Sequence, residues 1–116
     1  MKSLYKVMAE INQQAEKYLR NPLPYARKMK RWLKRNFPEV RVLIFGSAAR
    51  GDYQPDSDID ILVISPDMPG DLLSQAKIKV GLKKKFPEAP FQIHLATPEE
   101  YENWYRNFIK QDFHEV

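Results

Sequence analysis

The residues best equipped for chemistry lie between positions 46 and 64. They read Gly46-Ser47-Ala48-Ala49-Arg50-Gly51, a short spacer, then Ser57-Asp58-Ile59-Asp60-Ile61-Leu62-Val63-Ile64. The run from Ile59 to Ile64 is apolar and β-branched, the pattern of a buried strand. Residues i and i+2 of a strand share a face, so Asp58 and Asp60 are expected to leave the same side and share a cation. Two carboxylates that close need a counter-charge. Mg²⁺ (or Mn²⁺) suits them, because a hard cation takes oxygen ligands and keeps positions for water and phosphate. The alternative, a polar turn followed by an edge strand, leaves Asp60 unexplained inside an apolar run where Asp is disfavoured.

Upstream, Arg41-Val42-Leu43-Ile44-Phe45 is a second strand candidate that ends at Gly46. Glycine allows a sharp turn and a close approach to a ligand. Ser47 offers a hydroxyl and a backbone N–H at the start of a short helix, where free N–H groups attract anions. Arg50, one turn on, is placed to meet a phosphate or to anchor Asp52, and Gly51 closes the turn. A strand, turn and helix of this kind is common by itself. Ahead of a paired-Asp strand, it suits holding a nucleoside triphosphate on a metal so that its α-phosphorus can be attacked.

The elements that position these residues follow from periodicity. Residues 2–20 place Leu4, Val7, Met8, Ile11, Ala15, Tyr18 and Leu19 at helical spacing, and Asn21-Pro22-Leu23-Pro24 stops them. Tyr25, Met29, Trp32, Leu33 and Phe37 mark a second amphipathic helix, ended by Pro38. After the strands 41–45 and 59–64 comes the loop 65–70. Asp71 then caps a helix running to about Lys85, expected to bury Leu72, Leu73, Ala76 and Val80. Phe91-Gln92-Ile93-His94-Leu95-Ala96 alternates as a half-buried strand. Thr97-Pro98-Glu99-Glu100 has the form of a capping box that starts a last helix. That helix carries Tyr101, Trp104, Tyr105 and Phe108, aromatics expected mainly in the core. The whole reads as an α/β or α+β domain with a small mixed β-sheet flanked by helices.

The glycine-serine pair, the short Arg-Gly helix and the Ser-Asp-Ile-Asp strand head resemble the signature of the DNA polymerase beta nucleotidyltransferase superfamily. Their spacing resembles its minimal nucleotidyltransferase (MNT) branch. The motif spans about residues 42–64, and the order of elements is similar from about residue 24 onward. The resemblance implies that Gly46 and Ser47, with Arg50 nearby, hold the triphosphate, and that Asp58 and Asp60 bind divalent metal and carry catalysis. It implies transfer of a nucleoside monophosphate, from ATP above all, to a hydroxyl acceptor. It also implies a HEPN-type helical partner in a toxin–antitoxin pair.

The chain departs from that pattern at a third acidic position on a later strand, which falls at Gln92 or His94, with Gln92 favoured by position as the remaining metal ligand. Glutamine coordinates weakly and cannot serve as a base. His94 could serve as a base or ligand. Two outcomes follow: a working but slowed transferase, or a nucleotide-binding antitoxin module that acts by protein–protein contact.

Size and composition agree with such a domain. The chain has 116 residues, 43% of them hydrophobic and 29% charged, consistent with one soluble domain. Residues 1–22 are expected to add an extra N-terminal helix to a core from about 24 to 116. This helix packs on its own domain or offers a partner or homodimer surface. The chain has no cysteine, which excludes disulfides and thiolate metal sites. No apolar run approaches the roughly 18 residues of a membrane span, and polar residues interrupt the N-terminus, so a cytoplasmic location is expected. The formal charge of +4 gathers in two clusters: Arg27, Lys28, Lys30, Arg31, Lys34, Arg35, and Lys77, Lys79, Lys83, Lys84, Lys85. Both are expected to be solvated helix faces, with nucleic acid as the alternative ligand they suit.

Overall fold

The structure is a computed structural model and describes residues 3–116. The Lys2 end of the first expected helix lies outside the described residues. A four-stranded mixed sheet forms the middle layer, in the order β3-β2-β1-β4. Its strands are β1 (Arg41–Phe45), β2 (Ile59–Ile64), β3 (Phe91–Ala96) and β4 (Phe113–Glu115). β1 runs antiparallel to both β2 and β4, and β2 runs parallel to β3. The parallel pair is linked by the crossover helix α4 (Leu72–Lys85), as parallel strands require.

The first three strands appear at the positions their apolar runs predict. Val42, Leu43, Ile44, Ile61, Leu62 and Val63 are fully buried, because both sheet faces are covered. One face carries Val42, Ile44, Ile59, Ile61, Val63, Phe91, Ile93 and Leu95. It packs against the end of α1 (Leu4–Arg20), against α2 (Leu23–Leu33) and against Leu82 of α4. The other face carries Leu43, Phe45, Leu62, Ile64 and Ala96, under Tyr101 and Ile109 of the C-terminal helix.

Helix starts follow their sequence signals. Ser3 caps α1 through Lys6 N (3.2 Å), and Asp71 caps α4 by accepting from Ser74 N at 2.8 Å. The Asp71 carboxyl is held below its ordinary value by these Ser74 hydrogen bonds. Thr97 and Glu100 form the expected capping box, with Thr97 N donating to Glu100 Oε1 and Glu100 N to Thr97 Oγ1.

Four features depart from expectation. α4 turns its other face inward: Leu72, Leu73, Ala76 and Val80 are exposed, whereas Leu82 is buried and Ile78 and Phe86 pack on the core. Both faces of α4 are apolar, so periodicity could not choose between them. Gly81 settles it by letting the Trp32 ring of α2 approach, since a Cβ there would lie 2.9 Å from Trp32 Cη2. The last helix is not uniform: α5 (Pro98–Glu100) passes through a π-helical turn (Tyr101–Tyr105) into α6 (Arg106–Ile109). Tyr101 and Ile109 are buried, but Trp104 and Phe108 are exposed. Only Ala15, Tyr18 and Leu19 of the α1 stripe are buried, while Leu4, Met8 and Ile11 are exposed. Finally, β4 has no counterpart in the sequence reading. It is only three residues long, and tertiary anchors hold it. Arg41 makes a bidentate pair with Glu115 at 3.0 and 2.8 Å, and Val116 N donates to Val42 O.

Candidate functional site

β1 ends at Phe45, and the chain turns at Gly46 with φ 76° and ψ −154°, a region open almost only to glycine. The turn delivers Ser47 to the start of a four-residue helix, α3 (Ser47–Arg50). Ala49 N and Arg50 N both donate to Gly46 O, which winds the turn tightly. The N–H groups of Ser47 and Ala48 have no acceptor among the described residues.

β2 brings Asp60 to this turn. Asp60 pairs in register with Phe45 across the antiparallel ladder, so its side chain emerges on the same face, next to Gly46. A Cβ at Gly46 would lie 2.7 Å from Asp60 Oδ2. Residue 46 must therefore be glycine for two independent reasons: its backbone angles and the carboxylate beside it. Asp58 is exposed and sits one residue before β2, after a turn in which Gln54 N donates to Ser57 Oγ at 2.8 Å. The pleat thus fixes the direction of Asp60, and the turn fixes the position of Asp58.

β3 lies beside β2, with Gln92 opposite Asp60 and His94 opposite Leu62. Gln92 is exposed, and its side chain has no hydrogen-bond partner among the described residues. His94 reaches Asp60 instead, Nε2 to Oδ1 at 3.4 Å. Its ring is held between Phe45 (centroids 5.3 Å apart) and Tyr105 (6.1 Å). Burial, and then the charge of Glu100, raise the pKa of the Tyr105 hydroxyl.

Phe45, Gly46, Ser47, Arg50, Asp60, Phe108, Ile109 and Asp112 line a cleft of about 300 Å³. Arg50 is exposed at its rim and pairs with Asp52 at 3.2 Å. Phe108, Ile109 and Asp112 were not foreseen as site residues. They arrive because β4 folds back onto β1 and draws the preceding turn over the cleft. His114 Nε2 lies 3.1 Å from Ala49 O of α3, which ties β4 to the helix that follows the Gly46 turn. The one local signal was an Asp just after an aromatic helix, which is too common to single out.

The donor set fits a divalent cation that keeps open positions. Asp60 presents Oδ2 toward the Gly46 turn, Asp58 stands exposed nearby in sequence, and both are hard oxygen donors. Among the described residues, no three His, Cys, Asp or Glu side chains cluster as a closed metal cage. Such a cation would be bound jointly with its ligand's phosphates.

Known proteins resemble this chain in sequence and fold. A 41-residue stretch, 35% of this chain, is 48% identical to "Putative protein adenylyltransferase MJ0141" of Methanocaldococcus jannaschii. That stretch spans 41% of the relative's length. A solved "putative nucleotidyltransferase" superposes with a TM-score of 0.61 at 26% identity, covering 78% of this chain and 95% of the other. A toxin–antitoxin MntA-HpeT mutant shares the fold alone, with a TM-score of 0.57 at 18% identity over 78% of this chain and 70% of the other. The nucleotidyltransferase domain profile matches residues 26–114. That match takes in β1, β2, β3, the Gly46-Ser47 turn and both aspartates, and so this chain belongs to the nucleotidyltransferase domain family.

Proposed function

We propose that the protein binds a nucleoside triphosphate, ATP above all, with Mg²⁺ or Mn²⁺ and transfers a nucleoside monophosphate to a hydroxyl on a protein partner. The observation that carries this is the Asp60 carboxylate packed against the Gly46-Ser47 turn inside one cleft. Ser47 and its neighbouring N–H groups receive the β- and γ-phosphates, and Arg50 adds charge at the rim. Asp58 and Asp60 hold the divalent cation, and His94 steadies the Asp60 carboxylate. The acceptor oxygen bonds to the α-phosphorus as the bond to the β-phosphate oxygen breaks, releasing pyrophosphate. The bound cation would offset the negative charge that gathers on that leaving group.

One relative supports the choice of acceptor, since it is named as a putative protein adenylyltransferase. A HEPN-type helical protein is the partner class we infer. The test incubates the protein with labelled ATP, Mg²⁺ and a cognate partner. Label is expected on the partner, and Asp58→Ala should abolish its transfer. Equal signals from wild type and Asp58→Ala would reject the reading.

A second reading has its own support. Gln92, not a carboxylate, stands opposite Asp60, and the missing ligand or base is worth about 10²–10⁴ in rate. In this reading the protein is a nucleotide-binding antitoxin that neutralises its partner by covering it. Inhibition that survives Asp60→Ala unchanged favours this form. A gain of label transfer by Gln92→Asp identifies the missing carboxylate as the cause.

A further inference from the structure

Lys28, Arg31 and Arg35 of the first basic cluster meet Lys85 of the second, about fifty positions on, in the fold. α2 and α4 pack side by side on the sheet face opposite His94 and Tyr105. Between them lies a cavity of about 670 Å³, lined by Lys28, Arg31, Trp32, Arg35, Lys85 and Phe86. Its volume lies within the range of pockets that hold small ligands. Lys28 and Arg31 follow one another along α2, Arg35 stands in the turn just after it, and Lys85 closes the far side from the end of α4. No acidic residue lines the cavity, and among the described residues none of these four cations has an ion-pair partner.

The floor is aromatic and fixed. Gly81 seats the Trp32 ring against the α4 backbone. Lys85 Nζ stands 5.5 Å from the Trp32 ring centroid and Lys28 Nζ 5.8 Å from that of Tyr25. A solvated helix face would scatter its charges around the helix and mix them with acids. Here the cations converge on a concavity with a ring at its base. Cations that track a backbone beside aromatic platforms form the pattern that binds single strands through phosphates and stacked bases. An acidic protein surface would use the charges and have no need of the ring.

We propose that this groove binds single-stranded nucleic acid, with its phosphates on Lys28, Arg31, Arg35 and Lys85 and a base against Trp32. The groove is separate from the nucleotide cleft and does not depend on how that cleft is read.

The test uses the full chain and a fluorescein-labelled oligouridylate of about 12 nucleotides. Affinity is followed by anisotropy between about 50 and 200 mM salt. Four phosphate contacts predict a log–log salt slope of about −3, and the triple variant Lys28→Gln, Arg31→Gln, Arg35→Gln should flatten it to about −1. The same triple should weaken binding at least about tenfold. All three side chains are exposed, so circular dichroism should show an intact fold. A control triple that removes equal charge elsewhere, Lys6→Gln, Arg106→Gln, Lys110→Gln, all exposed and off both helices, should bind like wild type. The chain has two tryptophans, and in Trp104→Phe the remaining Trp32 fluorescence should be quenched by the oligonucleotide. Equal losses in both triples would overturn the proposal and leave only net charge. Polyaspartate competing as well as RNA, with Trp32 unquenched, would also overturn it and assign the groove to an acidic protein surface.

Discussion

At Gly46, one residue meets two demands. Its backbone angles exclude side chains, and Asp60 Oδ2 occupies the space a Cβ would need. Gly46→Ala is expected to cost about 1–3 kcal/mol from the backbone alone, read as a drop in urea midpoint. It should also displace Asp60 and abolish Mg²⁺–ATP binding in calorimetry. His94 supports the same carboxylate from the next strand. Outer partners of metal ligands typically tune affinity about 10–100-fold, so His94→Ala should raise the Mg²⁺ requirement for ATP binding while the fold stays intact. The Gly46, Ser47 and Asp60 arrangement was legible in the sequence because all three lie within fifteen positions, joined by one turn. The His94 contact was harder to foresee. Register puts Gln92 directly opposite Asp60, yet the longer reach of a ring two residues on makes the contact.

Among the elements, β1 and β2 were legible from apolar runs that end at Gly46 and start after Asp58, and β3 from its alternation between Pro90 and Pro98. α4 was legible in extent but not in orientation, since Leu72, Leu73 and Val80 compete with Ile78 and Leu82 for the core. Its observed orientation makes a sharp prediction. Leu82→Ala should cost about 2–5 kcal/mol, whereas Val80→Ala should stay within about 0.5 kcal/mol, both by denaturant unfolding. β4 was not legible at all, because three residues carry too little pattern and its partner strand lies about seventy positions upstream. Its anchor should show in the pH dependence of stability. The hydrogen bond from Arg41 lowers the Glu115 pKa. A lowered carboxylate pKa stabilises the fold above the unfolded value and loses that contribution as pH falls through the folded one. The pair is partly exposed, at 44% and 35%, so its worth is at most about 1 kcal/mol. Glu115→Gln should therefore lower the urea midpoint at neutral pH, and the difference from wild type should vanish in acid.

At the scale of the whole molecule, the sheet separates two concave surfaces. The cleft at Gly46 and Asp60 sits at the ends of β1 and β2, under the C-terminal helix, and the basic groove lies on the opposite layer. The molecule is long, 48 Å by 29 by 23 Å, and the early turns of α1 present Leu4, Tyr5, Met8 and Ile11 to solvent. Replacing Leu4, Tyr5 and Met8 with Gln should change stability by no more than about 0.5 kcal/mol at each site, measured by thermal unfolding. Among the described side chains of α1, Ala15 is the first that is buried. The amphipathic spacing of that helix was legible in the sequence, but how far along it the core would reach was not, because that depends on where the sheet ends.

The short strand β4 has a further consequence. It is an edge of the sheet, only three residues long, with His114 and Glu115 exposed, and the turn before it brings Asp112 to the cleft. Stability is not spread evenly through a fold: short exposed edges open at a small fraction of the global cost. Backbone amides of β4 should therefore exchange with deuterium well before those of the buried centre of β2, and nucleotide should slow that exchange. The cleft would then have one wall that breathes and one, built on β1 and β2, that does not.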